Sequence, residues 1–479
     1  MVTKTKRALA LVLTAMMAAT ALAGCSSNNN ATKTSSAASG STSTASGDAS
    51  AASGDASVVD GTSTVTNIDD PGTIETIKAA MAEEASKNEG TIKLELWCSS
   101  DDSKFEKTLV KEFKEKYGDS RYKFDIKVNS SYGEDKAGGK ILESPKDGAD
   151  VFNFADDQLS TLVSAKALAE VGPLFQQNVK ANNTDDSVAV CSQNGTAYAY
   201  PKTSDNGFFM YYDKRVFKTE ADVADLDKMI ETANAQNKCV YFNLGNGWYN
   251  AAFFFAAGCE ITYDNSTKVQ KATFNTTEGL NAAKAMCHIS EKVGAGFKGS
   301  AGTSGDNAVV QQGFADGSMA AAVIGTWEGP AIKEAIGEEN VGAAKLPTAL
   351  IDGKQVQLHS FGGYKVVGVN AFTKFPVTAQ TLAYYLTNSD SQLKRYETRG
   401  LIPTSKTALE NDKVKADPAL QAIEAQKPFS HAQGQSVSSK YWSTNIGGFG
   451  GDIVTAKGAK TDAELQEGLQ QIVTQIEGD

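Results

Sequence analysis

The sequence contains few of the side chains that hold transition metals. Its 479 residues include 3 histidines and 6 cysteines, and none of them has the spacing of zinc ligands. The GxSxG, HExxH and P-loop motifs are also absent, so the familiar sequence signs of hydrolases, zinc peptidases and nucleotide-binding enzymes are missing. We therefore expect neither a cofactor nor catalysis of a reaction.

The cysteines do not form a complete disulfide framework. Five remain after Cys25, and an odd number cannot all pair within one chain. Cys98, Cys239 and Cys259 lie in apolar surroundings, so small buried thiols are expected. A Cys239–Cys259 disulfide is the alternative.

Basic residues are outnumbered by acidic ones. Lys and Arg total 46 against 57 Asp and Glu, which gives a net charge of −11. Such a balance opposes binding to nucleic acid or to an anionic membrane surface, so no nucleic-acid partner is expected. After residue 25 the sequence also has no apolar run long enough to span a bilayer.

The N-terminus has the order of a secretion signal. Three basic residues among the first seven precede an apolar stretch that ends in LAGC, residues 22–25. This ending resembles a bacterial lipobox, in which the chain is cut before a cysteine that then receives lipid. We predict a lipoprotein signal peptide over residues 1–24 and a lipid anchor on Cys25, at the extracellular face of the cell membrane. An uncleaved membrane anchor is the alternative.

The next segment has a biased composition. Residues 25–70 consist mainly of Ser, Ala, Thr, Gly and Asn, and such a segment buries too little apolar surface to offset its ordering entropy. We predict a disordered linker that holds a folded body away from the membrane. The folded body is expected to begin near Gly90.

From Gly90 onward, apolar strands alternate with amphipathic helices, which predicts α/β architecture with a largely parallel sheet. Ser103–Glu106 and Thr461–Glu464 both have the form of a capping box at a helix start. Gln177–Ser192 is predicted to be a loop.

The stretch Gly313–Pro330 is the most informative part of the chain. Met319–Ile324 is a short apolar run, typical of a buried strand, and Pro330 can open the next helix. Trp327 therefore follows the end of a core strand, where open α/β sheets bind ligands. An indole beside a hydroxyl and a carboxylate suits a polyhydroxylated ligand. A tryptophan that closes the edge of the core is the alternative.

Other predicted loops repeat this combination of aromatic and polar side chains. Five of these loops contain candidate binding residues, which are Asp101, Asp156 with Asp157, Asp205, Trp248 with Tyr249, and Trp442. Packing or helix capping explains each of them taken singly. Together they favour a carbohydrate cleft, because rings stack on sugar faces and carboxylates accept hydrogen bonds from hydroxyl groups.

Four segments carry a family resemblance: GTAYAYP at 195–201, FNL at 242–244, QGFADGSMA at 312–320 and LIPTS at 401–405. From about residue 90 to its C-terminus, the chain resembles the bacterial extracellular solute-binding proteins of sugar ABC importers, particularly the maltose/maltodextrin-binding type. The lipobox and linker suit the tethered form that these binders take in Gram-positive bacteria.

The resemblance implies a two-lobed periplasmic-binding-protein-like fold, with a hinge and an interlobe ligand cleft. The N-terminal lobe would comprise residues 90–203 plus 361–402, and the C-terminal lobe residues 204–360 plus 403–479. The hinge crossings would lie near Thr203–Gly207, Ser360–Gly363 and Pro403–Ser405. Closure around a ligand that contacts both lobes would be a hinge motion.

The resemblance and the loop clusters together give candidate residues. Stacking is expected from Trp327, Tyr249, Trp248 and Trp442. Hydrogen bonds are expected from Asp156, Asp157, Asp205, Asp101 and Glu328. The expected partners are an oligosaccharide, with maltooligosaccharide first, and the permease subunits of an ABC transporter, with the protein itself a monomer.

The chain departs from the maltose-binding pattern in places. Phe154-Ala155-Asp156-Asp157 stands where maltose binders have a tryptophan-containing loop, and Ser100-Asp101 replaces an Asp-Lys contact. Xylo-, fructo- and galacto-oligosaccharides therefore remain open as ligands. Two other classes also remain: a binder of a non-sugar such as a polyamine or metal complex, and a secreted glycosidase or adhesion module.

Overall fold

The computed structural model describes residues 66–264, 267–302 and 305–478. The predicted signal peptide, Cys25 and most of the predicted linker lie outside these ranges. Among the described residues, no helix combines the length and apolar character that crossing a bilayer requires.

A first five-stranded sheet forms the framework of the N-terminal half. Its strands run in the spatial order Lys123–Asn129, Thr91–Trp97, Val151–Ala155, Lys365–Val369 and Ala199–Thr203. The first three are parallel, and Lys365–Val369 is antiparallel to both of its neighbours. The predicted parallel arrangement thus holds for three strands, and the strand that enters late in the chain has the opposite direction.

A second five-stranded sheet has the same plan. Its order is Phe297–Gly299, Cys239–Phe242, Met319–Ile324, Phe209–Asp213 and Val341–Ala344. Phe209–Asp213 is the antiparallel strand here. The chain crosses between the sheets after Ala199–Thr203 and again between Val341–Ala344 and Lys365–Val369.

Helices form most of the connections between the strands. They are Pro71–Ser86, Ser103–Tyr117, Ala137–Glu143, Leu159–Ser164, Pro173–Asn182, Asp185–Val190, Leu226–Ala235, Gly247–Ala256, Thr277–Ser290, Asp306–Ala315, Gly329–Ile336, Pro376–Thr387, Ser389–Arg399, Lys406–Leu409, Asp412–Lys415, Pro418–Gln426, Gln433–Ser436, Ser439–Trp442, Ile446–Thr455 and Asp462–Glu477. Short two-stranded pairs join Ser192–Gln193 to Thr196–Ala197, Ile261–Asp264 to Val269–Ala272, Thr348–Ile351 to Lys354–Gln357, and Ser360–Gly362 to Ser430–Ala432.

The folded part begins earlier than the sequence analysis placed it. Ile68, inside the predicted linker, is fully buried, and so are Ile77 and Met81 of the first helix. These side chains belong to the same apolar cluster as the strand Thr91–Trp97. A helix and its lead-in therefore precede Gly90 as part of the first core.

Of the two predicted capping boxes, one is confirmed. The Thr461 hydroxyl accepts a hydrogen bond from the Glu464 N–H at 3.3 Å, and the Glu464 carboxylate accepts one from the Thr461 N–H at 2.8 Å. At Ser103 the prediction is wrong. The N-cap residue of that helix is Asp102, whose carboxylate bonds to Lys202 and Arg399 instead of capping the helix. Glu106 is fully buried and forms ion pairs with Lys202 and Arg395.

The predicted loop Gln177–Ser192 is also wrong. Most of it is helical, in Pro173–Asn182 and Asp185–Val190. The Asn178 and Asn183 side chains donate to the carbonyl groups of Leu174 and Val179 within the first of these helices, so two weak helix formers bond to the helix backbone.

The five described cysteines are free thiols, so Cys239 and Cys259 are not joined to each other. Cys98 and Cys259 are buried, as expected, whereas Cys239, which was also expected to be buried, is half-buried. Cys191 and Cys287 are buried as well.

Candidate ligand-binding site

The site begins where the strand Met319–Ile324 ends. All six residues of this strand are buried, as predicted. Gly325 releases the chain into a turn, Thr326–Glu328, and Pro330 lies in the first turn of the helix that follows. This geometry places Trp327 at the end of a central strand of the second sheet.

The indole of Trp327 is held in one orientation. Its Nε1–H donates to Asn307 Oδ1 at 3.2 Å, and its ring lies 5.9 Å from that of Trp248 with a tilt of 34°. The ring passes directly over Gly325, where a Cβ would lie 1.9 Å from a ring carbon. Lys365 Nζ, from the first sheet, lies 5.2 Å from the ring centroid, at cation–π distance.

Trp248 and Tyr249 open the helix Gly247–Ala256 and have different surroundings. Trp248 is half-buried, and its Nε1–H donates to Gln433 Oε1 at 3.0 Å. Tyr249 is only 3% exposed, and its ring contacts those of Phe208 and Trp248, which also contact each other. In this packing Tyr249 offers no open ring face for the predicted stacking and instead supports Trp248.

Asp156 and Asp157 follow the strand Val151–Ala155 of the first sheet. Asp156 is buried, and its Oδ1 has no hydrogen-bond partner. Burial, with a contribution from Asp157, raises the pKa of Asp156 to about 8. Burial likewise raises the pKa of Asp157 to about 6, against hydrogen bonds from Gln433 and Trp442 that lower it.

Asp157 connects the first sheet to the late part of the chain. Trp442 is 38% exposed, and its Nε1–H donates to Asp157 Oδ2 at 3.0 Å. The Gln433 side chain bonds to the same carboxylate and to the indole of Trp248. Asp157, Gln433 and two tryptophans therefore form one hydrogen-bonded group.

Asp205 lies in the first crossing between the sheets and is 1% exposed. Its Oδ2 accepts a hydrogen bond from the Thr326 hydroxyl, while its Oδ1 has no partner. This bond ties the crossing to the turn that carries Trp327. The next residue, Asn206, is also buried, and its Nδ2 has no partner.

Glu328 and Asp101 differ in exposure. Glu328 is buried and accepts a hydrogen bond from Gln311 Nε2 at 3.0 Å. Burial raises the pKa of Glu328 to about 7, and the negative charge of Asp101 adds to this. Asp101 itself is exposed and bonds to the Ser100 hydroxyl. Asp101 is thus the more accessible of the two carboxylates.

A buried group of charged side chains surrounds Lys202, at the end of the strand Ala199–Thr203 in the first sheet. The Lys202 cluster consists of Lys202, Asp102, Glu106, Glu134, Arg395 and Arg399. Lys202 is fully buried, and its Nζ lies 2.7 Å from Asp102 Oδ2 and 3.3 Å from Glu134 Oε1. Burial alone would raise the pKa of Asp102, but the neighbouring cations hold it well below its usual range. Lys202 belongs to the strand Ala199–Thr203, which leads directly into the first crossing. The cluster therefore fixes the start of that crossing.

Several residues of the site were missed by the sequence analysis. Gln433, Asn307 and Lys365 belong to no motif, and single polar residues of these types occur throughout the chain. Asn206 lies inside the predicted crossing Thr203–Gly207 but was not named as a candidate. Their importance follows from contacts between distant segments, such as the 185-residue separation between Trp248 and Gln433. The short polar stretch that ends in Trp442 was the nearest sequence signal to Gln433.

Comparison with known proteins identifies the family. A profile described as bacterial extracellular solute-binding protein matches residues 108–422, more than half of the sequence. The chain belongs to this family.

Curated relatives fall in the same group. A galactooligosaccharide-binding protein of Bacillus subtilis (strain 168) is 28% identical over 294 residues, covering 59% of this chain and 66% of that protein. A maltooligosaccharide ABC transporter solute-binding lipoprotein of Streptococcus pneumoniae (strain ATCC BAA-255 / R6) is 26% identical over 285 residues, covering 57% and 64%. The matches span slightly less than two thirds of these relatives. Both are named as binding proteins rather than enzymes.

Solved structures confirm the predicted two-lobed α/β fold. The maltodextrin-binding protein of L. casei BL23, solved without ligand, matches with a TM-score of 0.64 at 25% identity, covering 81% of this chain and 100% of that one. A second solved chain, described as being with acarbose, gives a TM-score of 0.68 at 29% identity and covers 81% and 99%.

Proposed function

We propose that this family member captures an oligosaccharide between its two lobes and delivers it to the permease subunits of an ABC importer. The observation that carries the proposal is the meeting of three tryptophans with buried carboxyl groups from both sheets. Trp248, Trp327 and Trp442 supply ring faces, and Asp157 is bonded to Trp442. Stacking faces beside hydrogen-bonding carboxyl groups are the combination that a sugar requires.

The electrostatics of the site favour a neutral ligand over a polyamine. With a pKa of about 8, the buried carboxyl of Asp156 is mostly protonated near neutral pH and carries no charge. Glu328, with a pKa of about 7, is protonated in part. A cationic ligand would meet less negative charge than the number of carboxyl groups suggests.

The sugar class is proposed from relatives. Maltooligosaccharide is the first candidate, and the relative named for galactooligosaccharide makes that class the second. Xylo- and fructo-oligosaccharides remain in the set to be tested. Binding without hydrolysis is proposed, and a glycosidase would reveal itself by cleaving the sugar.

The proposal includes the arrangement of the chain. The first lobe would comprise residues 90–203 with 361–402, together with the helix Pro71–Ser86 and its lead-in. The second lobe would comprise residues 204–360 with 403–479, with the hinge at the crossings between the two sheets. The protein would be a monomer anchored through Cys25 at the extracellular face of the membrane, and Asp101, Asp156, Asp157, Asp205 and Glu328 would bind sugar hydroxyls directly or through the turns that they hold.

Intrinsic tryptophan fluorescence tests the proposal. The purified protein, without its predicted signal peptide, is titrated with malto-, galacto-, xylo- and fructo-oligosaccharides and with a polyamine. We expect a saturable change with one sugar class, and chromatography should recover that sugar intact. A response to the polyamine alone, or cleavage of the sugar, would contradict the proposal.

A further inference from the structure

Two of the chain's three histidines meet outside the set of proposed binding residues. His359 Nδ1 and His431 Nε2 are 3.0 Å apart, and both residues are half-buried. The ring centroids lie 5.3 Å apart, which exceeds the separation of the two nitrogens by about two ring radii. The two nitrogens therefore lie close to the line between the rings and point at each other. This geometry is that of an end-to-end hydrogen bond between two imidazoles.

The pair joins two distant segments of the chain. His359 directly precedes the strand Ser360–Gly362 of the second crossing, and His431 lies in the strand Ser430–Ala432. The two strands pair in parallel. The His431 ring also stacks on that of Phe255, with a centroid distance of 3.9 Å and a tilt of 22°. The imidazole bond therefore fixes the late strand against the second crossing.

The late strand leads directly into Gln433. This residue is 6% exposed and lies two positions after His431. Its side chain accepts a hydrogen bond from Trp248 Nε1 and bonds to the carboxylate of Asp157. Because the strand sets the place from which this side chain starts, a shift of the strand would separate Gln433 from both partners. The histidine pair thus acts on the site indirectly, through Gln433.

A bond between two imidazoles depends on their protons. In the neutral pair one nitrogen donates and the other accepts, and one added proton can be held on the far nitrogen of the donor ring. A second proton occupies the accepting nitrogen, so two donors and two positive charges then face each other and the bond is lost. Burial lowers the pKa of His359 below its usual range. Burial, with a contribution from His359, lowers the pKa of His431 to about 4. The bond is therefore kept at neutral pH and lost in acid.

The charged groups on the elements around the pair offer it little counter-charge. They are Lys345, Glu424, Lys427, Asp156 and Asp157. Lys345 Nζ lies 4.8 Å from the ring centroid of Phe429, which packs beside His359, so it opposes added positive charge. Glu424 and Lys427 are exposed, and Lys427 is paired with Asp186 at 3.1 Å. Asp156 and Asp157, with pKa values raised by burial to about 8 and about 6, take up protons before His431 does.

We propose that His359 and His431 form an acid-sensitive clasp that positions Gln433 for ligand binding. Neither histidine is assigned a contact with the ligand, and both are positioning residues. Loss of the clasp would free Gln433 and with it the indole of Trp248. The clasp rests on the proposed function, because it sets the lower limit of pH at which the protein captures its sugar.

Calorimetry tests the clasp through the pH dependence of affinity. The purified protein is titrated with its best oligosaccharide at about pH 7, 5.5 and 4. The wild type should bind about tenfold more weakly at the lowest pH than at the middle one. His431→Gln keeps a hydrogen-bonding group in place of Nε2 but takes up no proton. It should match the wild type at neutral pH and should lack the loss in acid.

Two further variants complete the series. His431→Phe keeps a ring against Phe255 and removes the bond, so it should bind the sugar about tenfold more weakly already at neutral pH. His288→Gln is the matched control, because the His288 side chain is 37% exposed and bonds to Asp227 on the far helix Leu226–Ala235. It should retain the wild-type pH profile. If the phenylalanine variant fails to fold, the comparison of wild type with His431→Gln still decides.

A second measurement needs no sugar. In heteronuclear NMR spectra of the ligand-free protein, the indole N–H resonance of Trp248 reports its bond to Gln433. This resonance should shift between about pH 5.5 and 4 in the wild type. In His431→Gln it should stay in place over the same range, because the clasp then has no proton to gain.

The outcomes separate this inference from the proposed function. If the wild type binds no sugar but the Trp248 resonance moves only where His431 is present, the proposed function fails and the clasp is supported. If sugar binds and the wild type and His431→Gln share one pH profile, the clasp alone is refuted. A folded His431→Phe protein with wild-type affinity at neutral pH would also refute it.

Discussion

Replacement of Trp327 by alanine tests the aromatic side of the proposed site. The indole is already oriented by Asn307, Trp248 and Gly325, so a ligand gains stacking area without first ordering the ring. If a sugar covers roughly 55 Å² of the partly exposed indole, the lost contact is worth about 1.4 kcal/mol at ~25 cal/mol per Å². Trp327→Ala should therefore weaken sugar binding about tenfold or more.

The measurement is isothermal titration calorimetry, because removal of a tryptophan alters the fluorescence signal itself. Trp97→Phe serves as the matched control. Trp97 is 7% exposed in the first sheet, and its Nε1–H bonds to Glu95, so its loss should lower the melting temperature and leave the affinity unchanged. A folded Trp327→Ala protein with wild-type affinity would remove Trp327 from the site and refute the reasoning.

Other predictions concern the fold and its pH dependence. Lys202→Met leaves the three carboxylates of the Lys202 cluster with two cations instead of three and should lower the unfolding free energy by about 3–5 kcal/mol in urea titrations; a loss below about 1 kcal/mol would contradict this. Gly325→Ala should displace the Trp327 ring and weaken sugar binding measured by calorimetry, with circular dichroism checking that the fold is kept. Burial raises the pKa of Asp156 to about 8 and that of Glu328 to about 7. The folded protein therefore holds these protons more tightly than the unfolded chain, and the unfolding free energy should fall as pH rises from about 5 to about 8. Glu328→Gln should flatten that fall, and an unchanged slope would show that Glu328 is ionised throughout.

Much of the fold could be read from local pattern. Apolar runs such as Met319–Ile324 became buried strands, and the Thr461 capping box formed, because both depend on neighbouring residues alone. The Ser103 capping box did not form, because Asp102 is the N-cap residue and bonds to Lys202 and Arg399, residues far along the chain. A competing partner of that kind has no local signature.

The same division between local pattern and long-range contacts decides how much of the site could be predicted. The turn that holds Trp327 follows from a strand end, which the sequence marks with glycine and proline. The burial of Tyr249 and Glu328 depends on which residues pack over them, and this was set by tertiary structure. Gln433 was missed because its role arises only when Trp248 and Asp157 are brought to it.

The Lys202 cluster has a consequence for attempts to engineer this protein. Its six members neutralise one another and are largely or fully buried. Replacing one of them leaves an opposite charge buried without its partner. A tolerated change must therefore alter several positions at once. A library that seeks a new ligand should keep this group constant. Diversity belongs at Asn307, Gln433 and Trp442, which are not members of the cluster and whose exchange leaves the foundation of the first crossing intact.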